Sequence, residues 1–322
     1  MWGCARRQDG GLERKLRTRE KGGSGPSWSI MPSRSLVIGC SALRTRHVVA
    51  MPLVAAATLA LAGCANRSVA EFQGTLAIPP GTKTVRFEID NGTIGLRAHT
   101  EATVAYAGGV RREGATAAAL AAIEAVGLEL SGAPDPKDPS VLVVRAPSVP
   151  PGTDGMLAVE LGIRLPASMA VDIAIAHNGH VSAAERTGPL TAATGRGDLR
   201  FEACEGAIRA RTGRGNVIAY DHDGDLDVAS GSGDMQVFVK KPGDLVRLIT
   251  GEGTVQCFLP PLAGFRVDAR AEVGKCGSSF GIPVEHPSEF SASMAGRHGD
   301  GRTQVVMRTG KGHLALTARS FE

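Results

Sequence analysis

From Asn178 onward a glycine returns every nine residues: Gly179, Gly188, Gly197, Gly206, Gly215, Gly224 and Gly233. An apolar or small side chain follows each one at the second and fourth positions, as Leu199 and Phe201 follow Gly197, or Leu226 and Val228 follow Gly224. This alternation is the period-two mark of a short strand with one buried face. Every second glycine sits in a stronger phrase, T-G-R-G-D from Thr194, T-G-R-G-N from Thr212 and S-G-S-G-D from Ser230, so the larger period is eighteen. A nine-residue unit has nothing of its own to bury its inner face against, whereas stacked units share one apolar interior. The expected fold is therefore all-β: a β-solenoid of roughly 18-residue coils, each made of two 9-residue strand and turn units. Glycines would form the corners, and Leu199, Ile208, Val217 and Leu226 would stack inward. The regular repeat covers residues 171–260. Gly243, Gly253 and Gly312 keep the phrase with small insertions, and Asn91 to Leu96 give an isolated copy.

Within the repeat, Tyr220 to Asp227 read YDHDGDLD, four aspartates around a glycine. Counted from Asp221, the glycine falls fourth rather than sixth and the twelfth residue is Ser232, so an EF-hand loop does not fit. The calcium-binding nonapeptide does not fit either, because the residue after the corner glycine varies through His180, Asp198, Asn216, Asp234 and Thr254. These positions are expected to cap backbone amides rather than hold a metal. Arg196-Gly197-Asp198 is one more copy of the same corner. His177, His180, His222, His286, His298 and His313 are dispersed and read as exposed turn residues.

No Walker loop, HExxH or CxxC occurs after residue 63. A catalytic reading would rest on scattered Asp198, Arg200, Arg209, Asp227 and Arg247, with no acid/base pair set apart from its neighbours. The expectation is a non-enzymatic chain with no cofactor and no metal.

The front of the chain differs. Residues 1–30 are rich in Arg, Gly and Lys, and Met31 is an alternative start. Val48 to Gly63 form an uncharged apolar run behind Arg44 and Arg46, ending in Leu61-Ala62-Gly63-Cys64. Residues 44–63 thus read as a lipoprotein signal peptide within a leader of 1–63, with Cys64 the expected lipidated residue. Ten Lys/Arg against three Asp/Glu lie in residues 1–63, so the net +4 of the whole chain leaves about −3 on the remainder. A weakly acidic mature part carries no footprint for nucleic acid.

Residues 64–71 are expected to be a tether and 72–322 a single domain. Phe72 to Leu96 and Val141 to Pro166 read as β-segments, and Ala115 to Glu129 as one helix, with Leu120, Ile123 and Val126 toward the sheet. Phe265 to Val284 and Glu289 to Ala318 are expected to supply terminal coils and a cap, because an open end exposes strand edges. An exported compartment permits a disulfide between Cys257 and Cys276, about one coil apart, with Cys204 free; three unpaired buried thiols are the other reading.

The run Ile163 to Ala167, the segment Asp172 to His180 and the G-x-L and T-G-x-G-D series through Met235 together resemble the bacterial putative-adhesin domain family of unknown function. The resemblance implies a β-solenoid protein of the cell envelope, often a lipoprotein, and implies no active site. The functional expectation is an exported, lipid-anchored envelope protein that presents a repetitive surface for binding or adhesion. Its membrane contact would be the lipid anchor and its partner an envelope protein or a polysaccharide. A β-helix enzyme acting on acidic polysaccharide and a purely structural envelope protein are the alternatives. In a diderm bacterium, Ala65 rather than aspartate after the cysteine favours the outer membrane.

Overall fold

Alternating apolar and polar residues build strands through nearly all of the computed structural model, which describes residues 66–321. The leader and Cys64 lie outside the described residues. The described chain is all-β, with twenty-one strands hydrogen-bonded into one sheet and one helix. Its first third holds β1 (Arg67–Ala77), β2 (Thr84–Ile89), β3 (Gly92–His99), β4 (Thr103–Gly114), α1 (Ala117–Glu124), β5 (Ser131–Pro134), β6 (Val141–Arg145) and β7 (Gly155–Pro166). The repeat supplies β8 (Ala170–Asn178), β9 (Val181–Ala184), β10 (Leu190–Arg196), β11 (Leu199–Glu202), β12 (Ile208–Arg214), β13 (Val217–Ser232), β14 (Met235–Glu252) and β15 (Val255–Leu259). The last segment holds β16 (Phe265–Val273), β17 (Cys276–Ser278), β18 (Val284–Glu285), β19 (Ala292–His298), β20 (Thr303–Lys311) and β21 (Leu314–Ala318).

Through the repeat, parallel pairs carry an offset of eighteen residues. Leu190 lies beside Ile208 and Ile208 beside Leu226 in one ladder, while Val181, Leu199, Val217 and Met235 follow one another in a second. β13 and β14 run through a corner and serve both ladders. From β14 the offset becomes twenty, Met235 pairing with Val255, because the Lys240 to Asp244 corner holds extra residues. Leu199, Val217 and Leu226 are fully buried and Ile208 is 1% exposed, so the alternate residues read as inward do form the core.

At both ends the ladders depart from chain order. β2 and β3 lie between β6 and β7 on one side and β8 and β9 on the other. Likewise β20 lies between β14 and β16, and β21 between β15 and β17, so the last strands are inserted inside the stack. Antiparallel strands then close each end: β4 on β7 with β1 on β4, β5 on β6, and β19 on β16 with β18 on β19.

Two boundaries differ from expectation. β1 begins at Arg67, which pairs with Glu113, so most of the expected tether is strand, because its alternating pattern continues along β4. α1 is shorter than Ala115 to Glu129. Thr116 caps it by accepting the Ala119 N–H at 3.1 Å, and it stops before Gly127; Ile123 is buried, Leu120 and Val126 half-buried.

Candidate functional site

The repeat phrase resolves into two polar ladders at one corner. The buried hydroxyls of Thr194, Thr212, Ser230, Thr250 and Thr309 each donate to the carbonyl of the corner glycine of the neighbouring strand pair, Gly179, Gly197, Gly215, Gly233 and Gly253, at 3.0–3.1 Å. Those carbonyls are why glycine recurs. Gly197 has φ 144°, and a Cβ there would collide with the carbonyl oxygen of Gly179. Gly215 and Gly233 repeat this contact up the column, and Gly188, Gly206 and Gly224 form a second column at the opposite corner.

The residue after each glycine makes the second ladder. Asp198 accepts the Asn216 N–H at 2.8 Å, Asn216 accepts the Asp234 N–H at 2.9 Å, and Asp234 accepts the Thr254 N–H at 2.7 Å. His180 Nδ1 accepts the Asp198 N–H at 3.0 Å in the same way. A side-chain acceptor is all this position needs, which is why it tolerates Asp, Asn and His.

YDHDGDLD forms the other corner, and here one expectation is corrected: His222 is not an exposed turn residue but is fully buried. Glu185, Ala203 and Asp221, spaced by eighteen, are the three non-glycine residues with positive φ among the described residues, at 57°, 48° and 50°. Each left-handed residue breaks the alternation and turns its successor inward, so Arg186, Cys204 and His222 stack as a buried polar column. Of their polar atoms, all but the Arg186 Nε, which has no partner, go to main-chain carbonyls. Arg186 donates to Leu165, Pro166 and Met169, the Cys204 thiol to Ala183 and Glu202, and the His222 nitrogens lie 2.9 and 3.1 Å from the carbonyls of Cys204 and Asp225. Burial lowers the pKa of Arg186 and of His222 and raises that of the Cys204 thiol. Their eighteen-residue spacing was a sequence signal for this column.

Three of the four aspartates of this corner also have protein partners. Asp225 accepts the N–H groups of Asp244 and Leu245 at 2.7 and 3.0 Å, Asp223 pairs with Lys241 at 3.0 Å, and Asp227 pairs with Arg211 at 2.7 Å.

The disulfide reading is also corrected. Cys204, Cys257 and Cys276 are free thiols. β15 and β17 flank β21, with Cys257 beside Leu316 and Cys276 beside Leu314. Two strand spacings, about 9.6 Å, separate the cysteines, beyond the reach of a disulfide. Burial pushes the Cys257 thiol up to about 12.

The scattered set considered for catalysis is divided by the fold. Arg209, Asp227 and Arg247 are register neighbours on the outer face of the first ladder, Asp198 is at a corner, and Arg200 points outward from the second ladder.

The second ladder carries a feature that sequence reasoning missed. Two outward columns cross its amino-terminal half. One runs Ala107, Gly162, Gly95, Ser182, Arg200; the other runs Ala105, Arg164, Arg97, Ala184, Glu202. Small residues make a floor, and long charged ones rise from it, leaving an open trough of 660 Å³. Arg97 and Arg164 are direct cross-strand neighbours, both exposed, and neither enters an ion pair among the described residues. Arg200 stands at the far side, 3.5 Å from Glu202 and with its guanidinium 5.4 Å from the centre of the Tyr220 ring. Arg97 and Arg164 are sixty-seven residues apart, so no local motif announces the cluster. Tyr220, Phe238 and Phe258 continue the ladder as stacked rings with centroids 4.9 and 4.4 Å apart.

No family model matches the chain, and no curated protein matches it. Among solved structures it is similar to a putative cell adhesion protein from Clostridium sporogenes, at 12% identity and a TM-score of 0.35, over 77% of this chain and 100% of that one. It is also similar to a putative adhesin from Bacteroides fragilis, at 10% identity and a TM-score of 0.38, over 76% of this chain and 96% of that one. Likeness at this distance leaves the reading of function to the chain's own surface.

Proposed function

We propose that this chain is an exported, lipid-anchored, non-enzymatic β-solenoid of the cell envelope that uses the outer face of its second ladder to bind a partner. The solenoid reading is supported by the eighteen-residue offset shared by both ladders and by the glycine, hydroxyl and Asp/Asn columns that repeat with it. The anchor reading rests on Leu61-Ala62-Gly63-Cys64 at the end of the apolar run. The observation that carries the binding reading is the trough itself. Exposed side chains on a sheet normally cover their neighbours, but here Gly162, Gly95 and Ser182 leave the floor bare beneath three arginines.

Two measurements test this reading. Cys64→Ala releases the protein from membranes or stalls its processing; mature protein that still sediments with membranes and lacks acyl mass excludes the anchor. Ser182→Trp fills the trough from its floor, and in a glycan-array and envelope pull-down screen the wild-type ligand is lost from this variant. A ligand retained by a folded Ser182→Trp protein excludes the trough as the binding face.

A further inference from the structure

We propose that the trough takes a linear anionic polysaccharide, its carboxylates lying along Arg164, Arg97 and Arg200. This rests on the reading of the trough as a binding face and names its ligand class. Arg164 and Arg97 stand on adjacent parallel strands, so their Cα atoms are about 4.8 Å apart. Like charges directly across a sheet repel, and neither guanidinium has a carboxylate partner among the described residues. An anion bridging both removes that repulsion. Arg200 lies two strands beyond Arg97 in the neighbouring column, beside Glu202 at 3.5 Å, so the three guanidinia span about 14 Å along the stack.

Geometry selects a polymer over a small anion. The trough is open along its length and has no enclosed end, so a lone carboxylate would stay solvated against one or two guanidinia. An extended chain of sugar acids presents charges at intervals comparable to the strand spacing and engages the three guanidinia at once, with the additive gain of a multivalent contact. A bare floor of Gly162, Gly95 and Ser182 admits a ribbon of pyranose rings, and guanidinium forks suit carboxylates through paired hydrogen bonds. Charge complementarity is local. Residues 64–322 carry about −3, so the cluster is a cationic patch on a weakly acidic remainder. A flat membrane would meet the protruding parts of a surface before its recess, which disfavours a lipid bilayer as the occupant.

The test uses the full chain in detergent, with polygalacturonate as the probe, dextran as the neutral control and phosphatidylglycerol vesicles as the lipid control. Polygalacturonate binds, weakens as salt is raised, and loses about tenfold or more in affinity with R97S/R164S, the scale of one or more charged hydrogen bonds. Dextran does not bind. The two arginines are exposed, so R97S/R164S melts with the wild type. R97K/R164K, which keeps charge but loses the forked geometry, recovers part of the affinity. The proposal is overturned if polygalacturonate fails to bind, if dextran binds equally, if R97S/R164S changes nothing, or if only the vesicles bind through these arginines. Should the screen still lose its ligand with Ser182→Trp while polygalacturonate fails, the binding face stands and the ligand class falls.

Discussion

Asp225 holds two backbone N–H groups of the neighbouring strand β14 with a single carboxylate oxygen, that of Asp244 at 2.7 Å and that of Leu245 at 3.0 Å. The aspartate-rich corner is thereby used by the stack. Asp225→Ala is expected to cost about 1.5–3 kcal/mol, the range for hydrogen bonds to a charged group, and Asp225→Asn much less, because the amide oxygen still accepts. Calcium is expected to leave the Tm of the wild type and of both variants unchanged. A calcium-dependent rise abolished by Asp225→Asn, read by thermal melting, would falsify this.

The hydroxyl column gives a second expectation. Thr212→Val keeps the shape but leaves the Gly197 carbonyl without its 3.0 Å donor, for a loss of about 1 kcal/mol. Arg214→Ser, on the exposed side of the same corner, stays within about 0.5 kcal/mol. Denaturant melts of both variants check the contrast.

Leu226 and Asp227 are neighbours facing opposite ways. Leu226→Ala opens a cavity in the core and is expected to cost about 2–5 kcal/mol. Asp227→Ala breaks the pair with Arg211, whose exposure limits the cost to about 0.2–1 kcal/mol. Equal losses in urea would mean that the inward face is assigned wrongly.

Burial lowers the pKa of His222 below its ordinary 6.5, with its two carbonyl neighbours and the charges of Asp223 and Asp225 opposing that shift. Between the folded and unfolded pKa values the unfolded chain binds the extra proton, so stability is full above about 6.5 and falls as the pH drops below it. In His222→Gln that part of the slope is absent. Urea melts from neutral to mildly acid pH measure it, and an unchanged slope in the variant rules out His222 as its source.

The thiols should differ in reactivity. Native alkylation at neutral pH is expected to label the half-buried Cys276 first and to leave Cys257 untouched until unfolding, its thiol being pushed up to about 12. Mass analysis that found a Cys257–Cys276 bond would contradict the strand order around β21.

What the sequence made legible is what repeats at short range. The glycine spacing announced parallel pairs eighteen residues apart, and Leu199, Ile208, Val217 and Leu226 were readable as core because each lies a fixed step from a glycine. His222 was misread for a local reason. Simple alternation puts Ala219 in, Tyr220 out, position 221 in and position 222 out, but Asp221 at φ 50° reverses the parity. The trough was illegible because Arg97 and Arg164 meet only through the pairing of β3 with β7, across a stretch with no repeat. The insertion of β20 and β21 was hidden too, since nothing in the spacing of Leu245 and Gln304 marks them as neighbours.

That insertion bears on how the molecule can assemble. A chain made from its amino terminus completes β14 and β15 early, yet the strands that cover their free edge are β20 and β21, about sixty residues later. β16 and β17 emerge in between, and β16 can pair with β19, but neither joins the stack until β20 and β21 arrive with Thr303 on the Gly243 carbonyl. Closing so long a loop comes before its contacts reward it, so this edge is covered late. During that interval β14 and β15 present an unpaired parallel edge, the form of surface that strays into pairing with other chains. A second molecule, or a chaperone, that reaches this edge first competes with the protein's own final strands for the same row of hydrogen bonds.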